Sequence, residues 1–493
     1  MLRQLDQADT VRRKIAQQTA QRHKAEFGQF LTPSTVARFM ASLFPASTLQ
    51  TCRLLDAGAG VGALSCAFLD RWLAGGFDFG AVEVTAYEID DNLRSHLAEH
   101  LGSYRGVISR VISGDYIELA TAADLFTARQ PSGYTHAILN PPYKKISSNS
   151  AHRLALRRVG IETVNLYSAF VALAVYEAAP GGQIVAIIPR SFCNGPYYRP
   201  FRDFILERAA IRHMHLFESR NKAFKDDEVL QENIIIRLER GGLQGPVTVS
   251  TSTDDTFADF VANEYSFDRV VSPDDPGRFI HVPTSPRKGA IELSTVIRCS
   301  LADLGIQIST GPVVDFRLKD HLRDMPGEGT VPLLYPGHFS SRGTTWPIAG
   351  MKKPNAIERN ADTEKWLYPN GFYCVVRRFS SKEEKRRIVA GVVEPNVFGD
   401  TPVLGFENHL NLFHQNRRGL PEALARGLAV FLNTSAMDES FRRFNGHTQV
   451  NATDLKQMKY PTREALMRLG EWAMKQREIT QEMMDERMGN LTG

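Results

Sequence analysis

Asn140-Pro141-Pro142-Tyr143 is the segment of this 493-residue chain whose residue types are best suited to chemistry. The apolar run Ala137-Ile138-Leu139 before it reads as a buried strand, so the tetrapeptide falls at a strand's C-terminal end. In open α/β sheets that edge is where ligands bind. Two successive prolines stop any helix and remove two backbone donors. They leave a stiff turn with one amide side chain, exposed carbonyls and one aromatic ring. An uncharged acceptor pair beside a flat apolar face suits a planar group that carries an NH2.

Three earlier strand ends carry signals of their own. Leu54-Leu55-Asp56-Ala57-Gly58-Ala59-Gly60-Val61-Gly62 runs from an apolar strand into a Gly-x-Gly-x-Gly turn, with an amphipathic helix from Ala63 to Leu73. Glycines there let the backbone approach a ligand closely. A dinucleotide-binding domain uses a similar device with different glycine spacing. The next strand, Val82 to Tyr87, ends in Glu88-Ile89-Asp90. Glu88 is positioned to accept both hydroxyls of a ribose, while Asp90 suits the N-cap of a helix over 91–100. A third strand, Val107 to Ile112, ends in Gly114-Asp115-Tyr116. Asp115 can accept from an exocyclic amine, and Tyr116 can pack on a purine.

Downstream, Asn165 caps a predicted helix over 166–178 and Pro180-Gly181-Gly182 ends it. Gln183 to Ile188 reads as a buried strand and Tyr197 to Arg208 as a helix. Ile211 to Phe217 and Asn233 to Leu238 read as two more strands, joined by a polar segment that holds Phe224. These alternations predict a doubly wound, Rossmann-like α/β sheet.

Motif order and spacing over about Glu26 to Leu238 resemble the gamma class of S-adenosylmethionine-dependent N6-adenine DNA methyltransferases of restriction–modification systems. Phe27-Gly28-Gln29-Phe30-Leu31-Thr32-Pro33 resembles that family's N-terminal cofactor motif, and Leu55 to Gly60 its main one. The resemblance implies a seven-stranded methyltransferase sheet whose last strand is antiparallel. It implies a cofactor set of Phe30, Thr32, Asp56, Gly58, Gly60, Glu88, Ile89, Asp115 and Tyr116, and a catalytic loop of Asn140, Pro141, Pro142 and Tyr143. Asn140 and the Pro141 carbonyl would hold the protons of a flipped-out adenine's amine, and Tyr143 and Phe224 would stack on its two faces. The implied partner is double-stranded DNA, without a membrane, in a prokaryotic cytoplasm; a separate cognate restriction endonuclease, and action alone or in phage defence, both stay open. Two other readings stay open on the residues: a methyltransferase for RNA or a protein glutamine, which shares the loop, and a silent DNA-specificity subunit.

The length predicts two or three domains. Residues 1–25 read as a polar helical segment, solvated or touching DNA, and 26–242 as the methyltransferase domain. Gly241-Gly242-Leu243-Gln244-Gly245-Pro246 marks a boundary, 243–300 reads as linker and loops, 301–461 as a mixed α+β target-recognition domain and 462–493 as a closing helix. A net charge of only +4 excludes a general polycation, so local basic surface must bind DNA. The densest cluster holds Arg377, Arg378, Lys382 and Arg386. Five scattered cysteines are not at metal spacing and fit a reducing compartment, and the N-terminus lacks a signal peptide's apolar core.

Overall fold

The computed structural model describes residues 4–18, 31–122, 133–218, 232–284, 291, 294–340, 343–380, 384–445 and 449–492. The chain divides into two compact units, Met1–Pro286 and Arg287–Gly493.

In the first unit, α1 (Gln4–Gln18) and α2 (Ser34–Ser42) precede an alternating series: β1 (Thr51–Ala57), α3 (Ala63–Arg71), β2 (Ala81–Glu88), α4 (Asp91–Gly102), β3 (Val107–Ser113), α5 (Tyr116–Thr121), β4 (Tyr134–Leu139), α6 (Ala151–Arg158), α7 (Leu166–Glu177), β5 (Ala178–Pro189), α8 (Arg199–Arg208), β6 (Ala209–Phe217), β7 (Asn233–Arg240), β8 (Val247–Ser252) and β9 (Val261–Tyr265). One sheet takes them in the order β3-β2-β1-β4-β5-β7-β6-β8-β9. The first five run parallel, and β7 is antiparallel to both β5 and β6. Strand side chains alternate between faces. Leu54, Ile138, Val185 and Ile187 therefore pack on the α2 and α3 side, whereas Leu55, Leu139, Ile184 and Ile188 pack on the α7 side. Both faces are covered, which is why these strands read as continuous apolar runs. Side-chain N-caps start the helices that follow: Asp90 accepts from Asn92, Asp115 from Glu118, Ser150 from Arg153 and Asn165 from Tyr167.

The sheet has nine strands rather than seven. β8 pairs parallel to β6, and β9 antiparallel to β8, within the segment read from sequence as linker and loops. Val247, Val249 and Tyr265 are buried in the α7-side core, so the alternation of β8 serves this sheet. The glycine-rich turn at 241–246 is a strand connection, not a domain edge. The N-terminal segment differs as well. Leu5 and Ala8 of α1 are buried in the same cluster as α2 and α3, and buried Arg12 bonds Asp9 at 2.8 Å. A mostly polar composition hid a short apolar stripe.

The second unit is mixed α+β. A four-stranded antiparallel sheet takes Gln307–Thr310, Leu410–His414, Tyr373–Arg377 and Ala390–Val393 in that order, beside a five-stranded sheet. Helices Glu422–Leu432 and Arg463–Met474 supply Leu424, Leu428, Leu466 and Leu469 to its core. The predicted closing helix is two helices, Arg463–Met474 and Gln481–Thr492. Among the described residues no helix is long and apolar enough to cross a membrane.

Candidate active site

Register sets the site's frame. Ala57 lies opposite Tyr87, Tyr87 opposite Ile112 and Leu139 opposite Ala186. The ends of β1 to β4 therefore share one edge, with the order reversing between β1 and β4, the position at which doubly wound sheets open a crevice. The turn after β1 has Gly58, Gly60 and Gly62 at φ +76°, +58° and +86°, which side chains rarely adopt. The amides of Gly58 and Ala59 both donate to the Tyr87 carbonyl at 2.9 Å. Glu88, 3% exposed, accepts from the Gly60 amide at 2.7 Å and the Asp90 amide at 2.8 Å. Burial outweighs these bonds and raises its carboxyl above the ordinary range.

Asp56 is fully buried beneath the turn and accepts from Ser65 Oγ at 2.6 Å. Burial pushes its carboxyl up to about 7, helped by the charge of Glu88 and opposed by the Ser65 bonds. It ties the end of β1 to α3 and does not line the cavity.

In the loop after β4, the Asn140 Nδ2 donates to buried Thr32 Oγ1 at 2.9 Å. Asn140 Oδ1 accepts from the Tyr143 hydroxyl at 3.3 Å, which also lies 3.4 Å from the Ile187 carbonyl. The loop's far end is tied down by Ile146 donating to Val164 and Leu166 donating to Lys144. Asp115 accepts from the Glu118 amide and meets His152 Nε2 at 3.0 Å. Burial alone would raise its carboxyl, but the His152 and Glu118 bonds outweigh that and hold it below its ordinary value. Tyr116 packs between Tyr87 and Phe170, at ring distances of 4.9 and 5.1 Å. Gly58, Glu88, Asp115, Tyr116, Asn140 and Phe170 are among the residues around one cavity of about 310 Å³.

The family description that matches the chain is the Eco57I restriction-modification methylase, over residues 84–224. The chain is 52% identical to the type II methyltransferase M.BsuBI of Bacillus subtilis over 478 residues, covering 95% of each protein. It belongs to the type II methyltransferases of restriction–modification. It is thus a site-specific DNA methyltransferase that uses S-adenosylmethionine. The type II methyltransferase M.PstI of Providencia stuartii is 42% identical over 453 residues, 90% of this chain and 88% of that one. A solved DrdV–DNA complex is similar in fold, with a TM-score of 0.50 at 12% identity over 92% of this chain and 57% of that one.

The methyltransferase cavity fits its cofactor by chemistry. Two carboxylates, Glu88 and Asp115, face it between walls made by Leu31, Leu93, Tyr116 and Phe170, and acids beside apolar walls suit a ribose, an aminopurine and a sulfonium cation. Of the residues read from sequence, Gly58, Gly60, Glu88, Ile89, Asp115, Tyr116, Asn140 and Pro142 border it. Thr32 borders a smaller adjoining cavity with Asn140 and Gly58. Pro141 and Tyr143 do not border it, and Tyr143 is half-buried and edge-on to Tyr167 at 6.2 Å. Phe30, Phe224 and Lys382 lie outside the described residues. Sequence reasoning named Leu31 only within the N-terminal motif and missed Lys144, His152 and Phe170 at the cavity. The last two sit on helices, where a lone His or Phe carries no motif; only their positions just after a strand-end loop could have drawn notice.

In the second unit, Arg377 pairs with Glu384. Arg378 donates to the Asn408 carbonyl at 3.2 Å and the Gln449 side chain at 3.3 Å. Half-buried Arg386 donates to the Thr434 carbonyl at 2.9 Å and to the Gln481 side chain, and burial lowers its pKa.

Proposed function

We propose that the methyl acceptor is the exocyclic N6 of an adenine turned out of double-stranded DNA. The hydrogen bond from Asn140 Nδ2 to Thr32 carries this reading. It fixes the amide's orientation, with Oδ1 on the side of the Tyr143 hydroxyl, and an amide oxygen has two lone pairs and can accept from a substrate as well. An arylamine nitrogen is a poor nucleophile because its lone pair is delocalised into the ring. Asn140 Oδ1 and the Pro141 carbonyl would accept its two protons and turn the lone pair out of the plane. As positive charge develops on that nitrogen, the same acceptors stabilise it. No strong base is required, and Asn140-Pro141-Pro142-Tyr143 holds none. S-adenosylmethionine supplies the methyl group as an electrophile when bound. Glu88 would hold its ribose, Asp115 its 6-amino group and Tyr116 its purine face, with Gly58 and Gly60 allowing close approach. Orientation by these residues supplies much of the rate.

Tyr143 and Phe224 would replace the stacking a flipped base loses, worth about 1–3 kcal/mol per ring. The second unit would read the target sequence, with Arg377, Arg378 and Lys382 on phosphates and polar side chains on base edges. Membership in a restriction–modification family supports a separate cognate endonuclease as the functional partner.

Digesting DNA treated with the protein and cofactor, then identifying nucleosides by mass spectrometry, tests the reading. N6-methyladenine is expected. N4-methylcytosine, which the same acceptor pair could also produce, would overturn the choice of base.

A further inference from the structure

We propose that His152 is a positioning residue for Asp115: it locks that carboxylate so that the cofactor pocket distinguishes a 6-amino purine from a 6-oxo purine. This rests on the reading of the cavity as the S-adenosylmethionine site with Asp115 facing the purine amine.

The geometry is specific. His152 is the second residue of α6, whose start is fixed by the Ser150 cap. Both His152 and Asp115 border the cavity. Asp115 accepts from the Glu118 amide on Oδ1 and from His152 Nε2 on Oδ2, each at 3.0 Å, and the Ile117 amide adds to the backbone hold. Donors on both oxygens stop rotation about the terminal bond, and the carboxylate, which borders the cavity, presents only acceptors to it. A 6-amino group donates to such an acceptor. A 6-oxo group presents its own lone pairs and is repelled, provided the carboxylate stays ionised and cannot turn away or donate a proton.

The surrounding charges fit this role. Glu118 Oε1 is 3.9 Å from the imidazole, and Lys144 opposes its charge from the loop after β4. On α6 itself, Arg153 and Arg157 are occupied by Glu162. The bond to Asp115 is the main cause of a raised pKa at His152, and the same bond helps keep Asp115 ionised.

The test is calorimetry on the full chain with S-adenosylhomocysteine and its deaminated analogue, in which a carbonyl oxygen replaces the 6-amino group. A hydrogen bond to a charged group predicts at least about a tenfold preference for the amine in the native protein. His152→Ala should bring that preference toward unity. His152→Phe, which keeps a ring and has no donor, should do the same and serves if the alanine variant does not fold. His152→Gln, whose amide can still donate to Asp115, should restore most of the preference. An unchanged preference in the alanine or phenylalanine variant overturns the proposal. So does an equal weakening of both ligands, which is what mere loss of packing would give. If the native protein binds neither ligand, the cofactor reading of the cavity falls first and this proposal with it.

Discussion

Asn140 and Thr32 are 108 residues apart in sequence and joined by a 2.9 Å hydrogen bond from Nδ2 to Oγ1. The contact links the segment before α2 to the loop after β4. It also decides which way an otherwise symmetric-looking amide points. Thr32→Val keeps the shape and removes this acceptor, so the amide loses the bond that fixes its orientation. We expect kcat to fall about tenfold in single-turnover methylation with a much smaller change in cofactor affinity. Asn140→Ala should cost at least ~10²-fold, as for other lost transition-state partners. If cofactor affinity falls as far as kcat in Thr32→Val, Thr32 acts through the cofactor instead.

Asp56 should give the fold a pH signature. Its carboxyl is raised from the ordinary 3.8 to about 7, first by burial. Between those values the folded protein keeps a proton that the unfolded chain has released. Stability from this group is therefore fully present below about 4 and is lost as pH rises toward 7. Asp56→Asn has no such proton to lose, and its amide oxygen can still accept from Ser65. Denaturation midpoints of the variant, compared with the native chain, should improve steadily from pH 4 to pH 8, by on the order of a few kcal/mol at most. A constant difference across that range would show that Asp56 is ionised in the folded state at all these values.

The first half of the fold was legible because each strand ends in a residue with a recognisable task. Asp90 and Asn165 cap the helices they were read to cap, and the strands before Gly58, Glu88, Gly114 and Asn140 fall where apolar runs put them. What escaped had no local signal. β8 contributes only Val247 and Val249 to the core, and Thr and Ser elsewhere in it resemble a loop. α1 looks solvated until Leu5 and Ala8 find a cluster formed by α2 and α3. At the site, short motifs pointed to backbone-determined groups such as Gly60 and Glu88. His152 and Phe170 reach the cavity from helix faces, and only tertiary packing decides which helical residues do so.

The basic cluster should split into two kinds of residue. Arg386 is half-buried and bonded to Thr434 and Gln481, so Arg386→Ala should cost about 1–3 kcal/mol of stability in chemical denaturation. It should leave the salt dependence of DNA binding nearly unchanged. Arg377→Ala, whose head group pairs with the exposed Glu384, should instead weaken binding to all sequences alike and reduce the slope of log K against log salt by about 1. A flattened slope in the Arg386 variant, with stability intact, would reverse these roles.

Two helices of the second unit meet through glycines. A Cβ added at Gly427 would lie 1.8 Å from the Leu466 carbonyl oxygen, and one at Gly470 would lie 1.7 Å from that of Ala423. Backbone cannot yield as a side-chain tip can. Gly427→Ala should therefore force the helices apart and cost at least the ~1–3 kcal/mol typical of overpacking. Thermal denaturation should show the loss; a variant as stable as the native chain would mean that the helices separate freely.

The last prediction concerns where the catalytic unit ends. The boundary read from sequence near Gly242 would cut the sheet after β7 and leave β6 without β8. That cut uncovers His215, whose Nδ1 lies 2.9 Å from Ser250 Oγ, and Phe39, which stacks on Phe257 at 4.2 Å. It also removes Val247, Val249 and Tyr265 from the core. An exposed apolar strand edge is a site for aggregation. A fragment of residues 1–242 should be insoluble or fail to bind cofactor, whereas 1–286 should fold and bind S-adenosylmethionine with near-native affinity. Lacking the second unit, 1–286 should methylate DNA that carries the target site no better than DNA that lacks it. Solubility, calorimetry and paired methylation assays on the two fragments check each step. Selective methylation by 1–286 would move target recognition into the first unit, and a soluble, cofactor-binding 1–242 would show that β8 and β9 are dispensable to the sheet.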